Sequence, residues 1–136
     1  MTPEHPLTYH FAILRVVPHV HLGEFVNVGV LLHARTAEYL GMRAVTDRET
    51  LRVMVPDTDV ELLSRYLRCH EAICRGDPEG GMVATLPTSE RFHWLSAPRS
   101  DLLQCSPIHV GIDRDPERTL EELFAEFVRV PGPTSG

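Results

Sequence analysis

The sequence predicts an α+β protein with a mainly antiparallel sheet of about four strands and helices packed on one face. Three strand-like segments joined by short linkers fill the first third of the chain, helical patterns follow, and a further strand and helix complete it. Short linkers favour antiparallel neighbours, because parallel strands need long crossover connections. Strand runs that precede helical runs are typical of α+β architectures.

The first three predicted elements are strands. Residues 8–17 (TYHFAILRVV) are rich in β-branched and aromatic residues and end before Pro18. Residues 23–34 (GEFVNVGVLLHA) alternate valine and leucine on one face, and their other face is also partly apolar. A strand this apolar is expected near the centre of the sheet, with some cover on both sides. Residues 38–46 predict a third strand, which completes a meander.

Two helices are predicted in the middle of the chain. Residues 47–55 can form a short helix that Asp47 caps and that ends before Pro56. Residues 57–76 carry a clearer apolar stripe and end at Gly76, a common helix stop. Residues 77–87 are rich in turn formers and predict a connection.

The last third predicts one more strand and one more helix. Residues 101–112 form a strand that is bent, bulged or at an edge, because Pro107 cannot donate to the ladder. The final helix begins after Asp115 as N-cap, with Pro116 at its first position. Its apolar stripe consists of Leu120, Leu123, Phe124, Phe127 and Val128.

Composition bounds the class of protein. The 136 residues predict one domain at 8–129, with a flexible arm at 1–7 and a disordered tail at 130–136. The net charge of −6 argues against binding to nucleic acid, which relies on many basic residues. No apolar run reaches the length of a membrane span and no signal peptide is evident, so we expect a cytoplasmic protein. Three cysteines are expected to be free thiols.

Two pairs in the first strands are candidate binding residues. Arg15 ends the first strand and Glu24 begins the second, so they can form either a salt bridge that closes the hairpin or a prepared anion site. Asn27 and Gly29 are expected to share one face of the second strand. They mark either the close approach of a ligand or a tied-down loop beside a bulky aromatic side chain.

Residues 91–111 (RFHWLSAPRSDLLQCSPIHVG) concentrate hydrogen-bonding side chains. A bulge at Pro107 would bring Gln104, Ser106 and His109 to one face, because a bulge resets the alternation by one residue. Three interpretations remain open: a polar network that pins an irregular loop, a small-molecule or nucleotide pocket, and a protein-binding face. The further candidates in this stretch are Arg91, Trp94, Arg99 and Ser100.

The chain resembles a bacterial family known as domain of unknown function 3037. The resemblance rests on YHFAILRVVP, GEFVNVGVLL and ERFHWLSAPRSDLLQCSPIHVGI, and it runs from about Tyr9 to Val128. Family members often have threonine at the position of Val110 and proline or serine at that of Cys105, which suggests that neither residue is essential. The resemblance implies a HipA-like kinase as a partner and a toxin–antitoxin setting, and it implies no activity.

Two functions follow as expectations. The first is a noncatalytic partner or regulatory protein, which should expose an apolar or mixed patch. The alternative is an enzyme or binding protein for an anionic small molecule, with His109 as the candidate catalytic group because imidazole titrates near neutrality. The sequence lacks the glycine loops of nucleotide cofactor sites and a metal-ligand pattern, so neither a cofactor nor a metal is expected.

Overall fold

An antiparallel sheet organises the protein, which is described here by a computed structural model covering residues 5–17, 24–98 and 102–132. The strands are β1 (Leu7–Val16), β2 (Val26–Ala34), β3 (Tyr39–Ala44), β4 (Leu103–Cys105) and β5 (His109–Asp113). The spatial order is β3-β2-β1-β4, and β5 also pairs with β1. The predicted α+β class and antiparallel sheet are confirmed.

The strand predicted at 101–112 is divided into two. β4 pairs with residues 14–16 of β1, and β5 pairs with residues 7–11 of the same strand. Pro107 lies in the gap, as expected for a residue without a backbone N–H to donate. Both short strands therefore occupy the same position beside β1, and the interruption predicted from Pro107 is confirmed.

In the described ranges four α-helices accompany the sheet: α1 (Arg48–Met54), α2 (Val60–Arg75), α3 (Thr88–Ser96) and α4 (Pro116–Phe127). Asp47, Asp59 and Asp115 each accept a backbone N–H at the start of α1, α2 and α4, and Gly76 ends α2 at a φ of 72°. The helix α3 was not predicted, because Pro87 gives it no side-chain cap and its apolar residues form no clear stripe.

The helices lie on both faces of the sheet, and the prediction that they pack on one face is wrong. On one face Phe11 lies 5.9 Å from Phe127 of α4 between ring centroids. On the other face His33 stacks on Phe92 of α3 at 5.2 Å. We call these the α4 face and the α3 face. The cause is the sequence of β2: residues 28–34 are buried throughout, so both of its faces need apolar cover.

The largest fully buried side chains come from the sheet and from helices packed against it. They are Leu14, Leu31, Leu32, Leu51, Leu63, Leu67, Ile73 and Leu95. Leu7 pairs with Asp113 and so belongs to the sheet, whereas residues 1–4 of the predicted arm and 133–136 of the predicted tail lie outside the described residues. Within the described ranges, no helix is long and apolar enough to cross a membrane.

Candidate functional site

A row of three polar residues crosses the middle of the sheet. In the strand register Arg15 of β1 lies opposite Asn27 of β2 on one side and opposite Gln104 of β4 on the other. Directly paired residues of antiparallel strands project from the same face, which here is the α4 face. The structure therefore brings together three of the predicted site residues.

The contacts of this row are mainly with the protein itself. The Arg15 guanidinium lies 4.3 Å from the centre of the Phe25 ring. Asn27 Nδ2 donates to the Phe127 carbonyl at 2.9 Å, at the end of α4. An adjacent open pocket of about 220 Å³ is lined by Phe25, Val26, Asn27, Phe127 and Arg129. The row thus fastens α4 to the sheet and borders a small surface pocket.

Glu24 does not join the row as the partner of Arg15. It is exposed and precedes β2, which begins at Val26. The Arg15 side chain lies against the Phe25 ring, where a cation over an aromatic face is favourable. The predicted Arg15–Glu24 salt bridge is therefore replaced by a cation–π contact.

Gly29 lies on the opposite face from Asn27, so the prediction that they share a face is wrong. Leu14 pairs with Gly29 and the next residue, Arg15, pairs with Asn27, which leaves Val28 as the extra residue of a bulge. A bulge shifts the alternation by one residue. A Cβ placed on Gly29 would lie 2.8 Å from Ala44 Cβ, so the glycine allows β2 and β3 to approach rather than admitting a ligand.

Ser106 completes the ladder where Pro107 interrupts it. Its Oγ accepts from the Ile13 backbone N–H at 2.8 Å and donates to the Pro107 carbonyl at 2.9 Å. Its own backbone N–H donates to the Ile13 carbonyl at 2.8 Å. Ser106 therefore holds the interrupted edge strand against β1.

His109 shares the α4 face with Gln104 but is engaged with an aromatic ring. It is opposite Phe11 in the register and stacks on that ring at 5.1 Å between centroids. Gln104 lies opposite Arg15, and Arg15 and Phe11 project from the same face by alternation. The interruption at Pro107 therefore aligns Gln104 with His109 as predicted. Ser106 was predicted to join them, but its hydroxyl bonds to the Ile13 backbone instead.

Arg91 and Trp94 lie on α3, away from the polar row. Arg91 donates to the carbonyls of Leu86, Ile73 and Cys74 at 2.8, 2.8 and 2.9 Å, so it binds the end of α2. Trp94 lies 6.5 Å from His70 between ring centroids, and it is 38% exposed. The described site candidates of the stretch 91–111 thus divide between the two faces of the sheet, with Arg91 and Trp94 on α3 and Gln104 and His109 on the α4 face. Arg99 and Ser100 lie outside the described residues.

Sequence reasoning missed a groove on the α3 face, which we call the histidine groove. It has a volume of about 330 Å³. His10 and His33 lie opposite each other in the β1–β2 register, and Val110 lies opposite His10 on its other side. The hairpin register was the signal that could have paired the two histidines. The groove is lined by His10, His33, Arg35, Ser89, Phe92, His93, Ser96 and Ile108.

The electrostatics of the histidine groove are basic. His33 is buried, its ring stacks on Phe92, and its Nε2 lies 3.5 Å from the Ser89 hydroxyl oxygen. Burial lowers the pKa of His33 below its usual value, and the nearby His10 and Arg35 lower it further. Over the described part of the chain, no three His, Cys, Asp or Glu side chains are arranged to hold a metal ion.

An antiparallel sheet with helices on both faces and a split edge strand defines the class of this protein. The model of the family described as "Protein of unknown function (DUF3037)" matches residues 11–128, which is most of the chain. The chain belongs to this family, and the resemblance drawn from its sequence is confirmed. Neither a curated protein nor a solved structure matches it significantly.

Proposed function

We propose that this protein is a noncatalytic partner protein that binds another protein along β5. The observation that carries this proposal is a row of exposed apolar side chains on that strand and at the residue just before it. Ile108, Val110 and Ile112 are 47%, 63% and 71% exposed. Burying such a side chain is worth about 1.5–3 kcal/mol, so the row offers a substantial driving force for docking.

The position of the row suits the addition of a strand. Val110 and Ile112 lie opposite His10 and Thr8, so they project from the α3 face, and α3 itself packs mainly on β2. Among the described residues, β5 pairs with β1 alone and leaves its outer edge without a neighbour. An extended segment of a partner with alternating apolar residues can add main-chain hydrogen bonds to this edge and cover the row.

The state of the candidate catalytic group His109 and of the candidate binding residues Ser106 and Arg91 also supports a noncatalytic role. Ser106 is committed to the strand ladder, Arg91 to the end of α2, and His109 to the ring of Phe11. A general base must reach the proton that it removes, and it is usually oriented by a hydrogen bond. Each of these three side chains is held by a different structural contact.

The partner that we propose is a HipA-like kinase, the class that the family resemblance implies. The test is co-expression with such a kinase encoded beside the gene, followed by affinity purification of the complex. Ile112→Lys should abolish the complex, because a charge would replace an apolar contact at the edge. The matched control is Val53→Lys, since Val53 is 66% exposed on α1 and lies outside β5.

Three results would contradict the proposal. The first is a complex that survives Ile112→Lys. The second is a protein that elutes alone in the presence of the kinase. The third is self-association that Ile112→Lys abolishes, which would identify a second copy of the chain as the occupant of the edge. Equal melting temperatures for Ile112→Lys and Val53→Lys would show that the fold survives, since exposed substitutions typically change stability by about 0.5 kcal/mol or less.

A further inference from the structure

We propose that the histidine groove binds a small molecule that carries a phosphate group. This site adjoins the exposed apolar row beside β5, with which it shares Ile108, but its ligand chemistry does not depend on the proposed kinase partner. The inference rests on the residues that line the groove, on the start of α3 beside it and on its volume.

The groove concentrates basic side chains in an acidic protein. The whole chain carries a net charge of −6, yet none of the eight lining residues is acidic. Four of them are His10, His33, Arg35 and His93, which come from β1, β2, the turn after β2 and α3. Arg35 is exposed and, within the described residues, takes part in none of the ion pairs. A guanidinium that is not neutralised by a carboxylate is available to bind an anion through paired hydrogen bonds.

The start of α3 adds hydrogen-bond donors to the same place. Ser89 lies in the first turn of this helix and its hydroxyl reaches into the groove beside His33. Pro87 precedes the helix and supplies no side-chain cap. The first amides of a helix carry partial positive charge and favour phosphate oxygens. A phosphate held beside Ser89 would lie near this end of the helix, which adds to the attraction of the Arg35 charge.

Size and apolar surface define the rest of the ligand. A volume of about 330 Å³ is at the lower end of the range for small-molecule sites, which is about 300–1,000 Å³. Phe92 and Ile108 contribute apolar walls beside the basic groups. The groove therefore suits a phosphate attached to a compact apolar or aromatic group better than a free phosphate ion.

Binding should strengthen as the pH falls. The groups that face His33 are His10 from β1, Arg35 from the turn after β2, and Ser89 and His93 from α3. In the free protein burial lowers the pKa of His33, and His10 and Arg35 lower it further. A bound phosphate reverses that repulsion and favours the protonated ring. Affinity should consequently be higher at about pH 6 than at about pH 8.

The experiment is a titration with phenyl phosphate and with inorganic phosphate, followed by NMR of the imidazole and backbone amide signals. We expect saturable shifts at His33 and Ser89, tighter binding of phenyl phosphate, and tighter binding at the lower pH. Arg35→Gln should weaken phenyl phosphate binding about tenfold, as expected for the loss of one charge-assisted hydrogen bond. Arg65→Gln, on the exposed side of α2, is the matched control and should leave the affinity unchanged.

Two outcomes would overturn the inference. One is the absence of saturable shifts at His33 and Ser89 with either probe. The other is an equal loss of affinity in Arg35→Gln and Arg65→Gln, which would indicate general charge attraction. Because Arg35 and Arg65 are both exposed, the amide spectra of the two variants should otherwise match that of the unchanged protein.

Discussion

At the scale of single residues, the polar side chains of Arg91, Ser96 and Ser106 form hydrogen bonds with the backbone. Ser106 provides the acceptor that a regular strand would have supplied to the Ile13 N–H. Pro107 makes this substitute necessary, because it breaks the strand directly after the buried Ser106 and opposite the buried Ile13. The density of polar groups in the sequence predicted either a pinned loop or a pocket, and at Ser106 the contacts are those of a pinned loop.

Removing the Ser106 hydroxyl should therefore destabilise the fold. Ser106→Ala leaves a buried N–H without its acceptor, which costs about 1–3 kcal/mol. Urea denaturation of this variant should show a lower midpoint with an unchanged slope. Ser64→Ala, at a half-exposed position on α2, is the control and should change stability by about 0.5 kcal/mol or less. Equal midpoints for the two variants would refute this role of Ser106.

The sequence pointed to Arg15, Asn27 and Gln104 as site candidates, and the structure brings these three together. The face of the sheet from which Gly29 projects was predicted wrongly. The types of the first three residues and their strands were visible in the sequence. The bulge at Val28 was not, because it depends on how β1 and β2 pair, and it turns Gly29 to the other face. The histidine groove was missed for a related reason, since its residues come from β1, β2, the turn after β2, α3 and the residue before β5, and they meet only in the folded sheet.

At the scale of elements, the helices with sidechain caps were predictable and α3 was not. Asp47, Asp59 and Asp115 each cap a helix, and the sequence predicted two of these three. α3 has no side-chain cap and owes its position to tertiary contacts, including Arg91, which reaches the last carbonyls of α2. Such contacts between elements have no local signature in a sequence.

The Arg91 contacts predict how strongly α3 is joined to α2. Arg91→Gln removes charge-assisted bonds to the carbonyls of Ile73 and Cys74, and we expect a loss of about 1.5–3 kcal/mol. The stability of Arg91→Lys should lie between that of the unchanged protein and that of Arg91→Gln, because lysine keeps the positive charge but lacks the planar guanidinium. Thermal unfolding followed by circular dichroism measures both. The control is Arg68→Gln on the exposed surface of α2, and a loss as large in that variant would contradict the prediction.

At the scale of the whole molecule, the two helix layers leave one part of the sheet open. The helix α4 packs against β2 and β3 on one face of the sheet, and α3 packs mainly against β2 on the other. Neither helix covers the apolar row beside β5, which stays exposed at the edge of the sheet. The short linkers of the sequence predicted the antiparallel sheet. The helices were predicted on one face, because the apolar periodicity of a helix does not determine which face of a sheet it packs against. The open edge follows from that arrangement and carries the proposed function.

The most direct test of this account is amide hydrogen exchange on the complex with a HipA-like kinase, compared with the free protein. A strand added to the edge gives hydrogen bonds to the outward amides of β5, so exchange within His109–Asp113 should slow markedly. Exchange at α1 should remain unchanged. Unchanged exchange in β5, with new protection at α1 or at β3 on the opposite edge, would contradict the proposal that β5 is the docking surface.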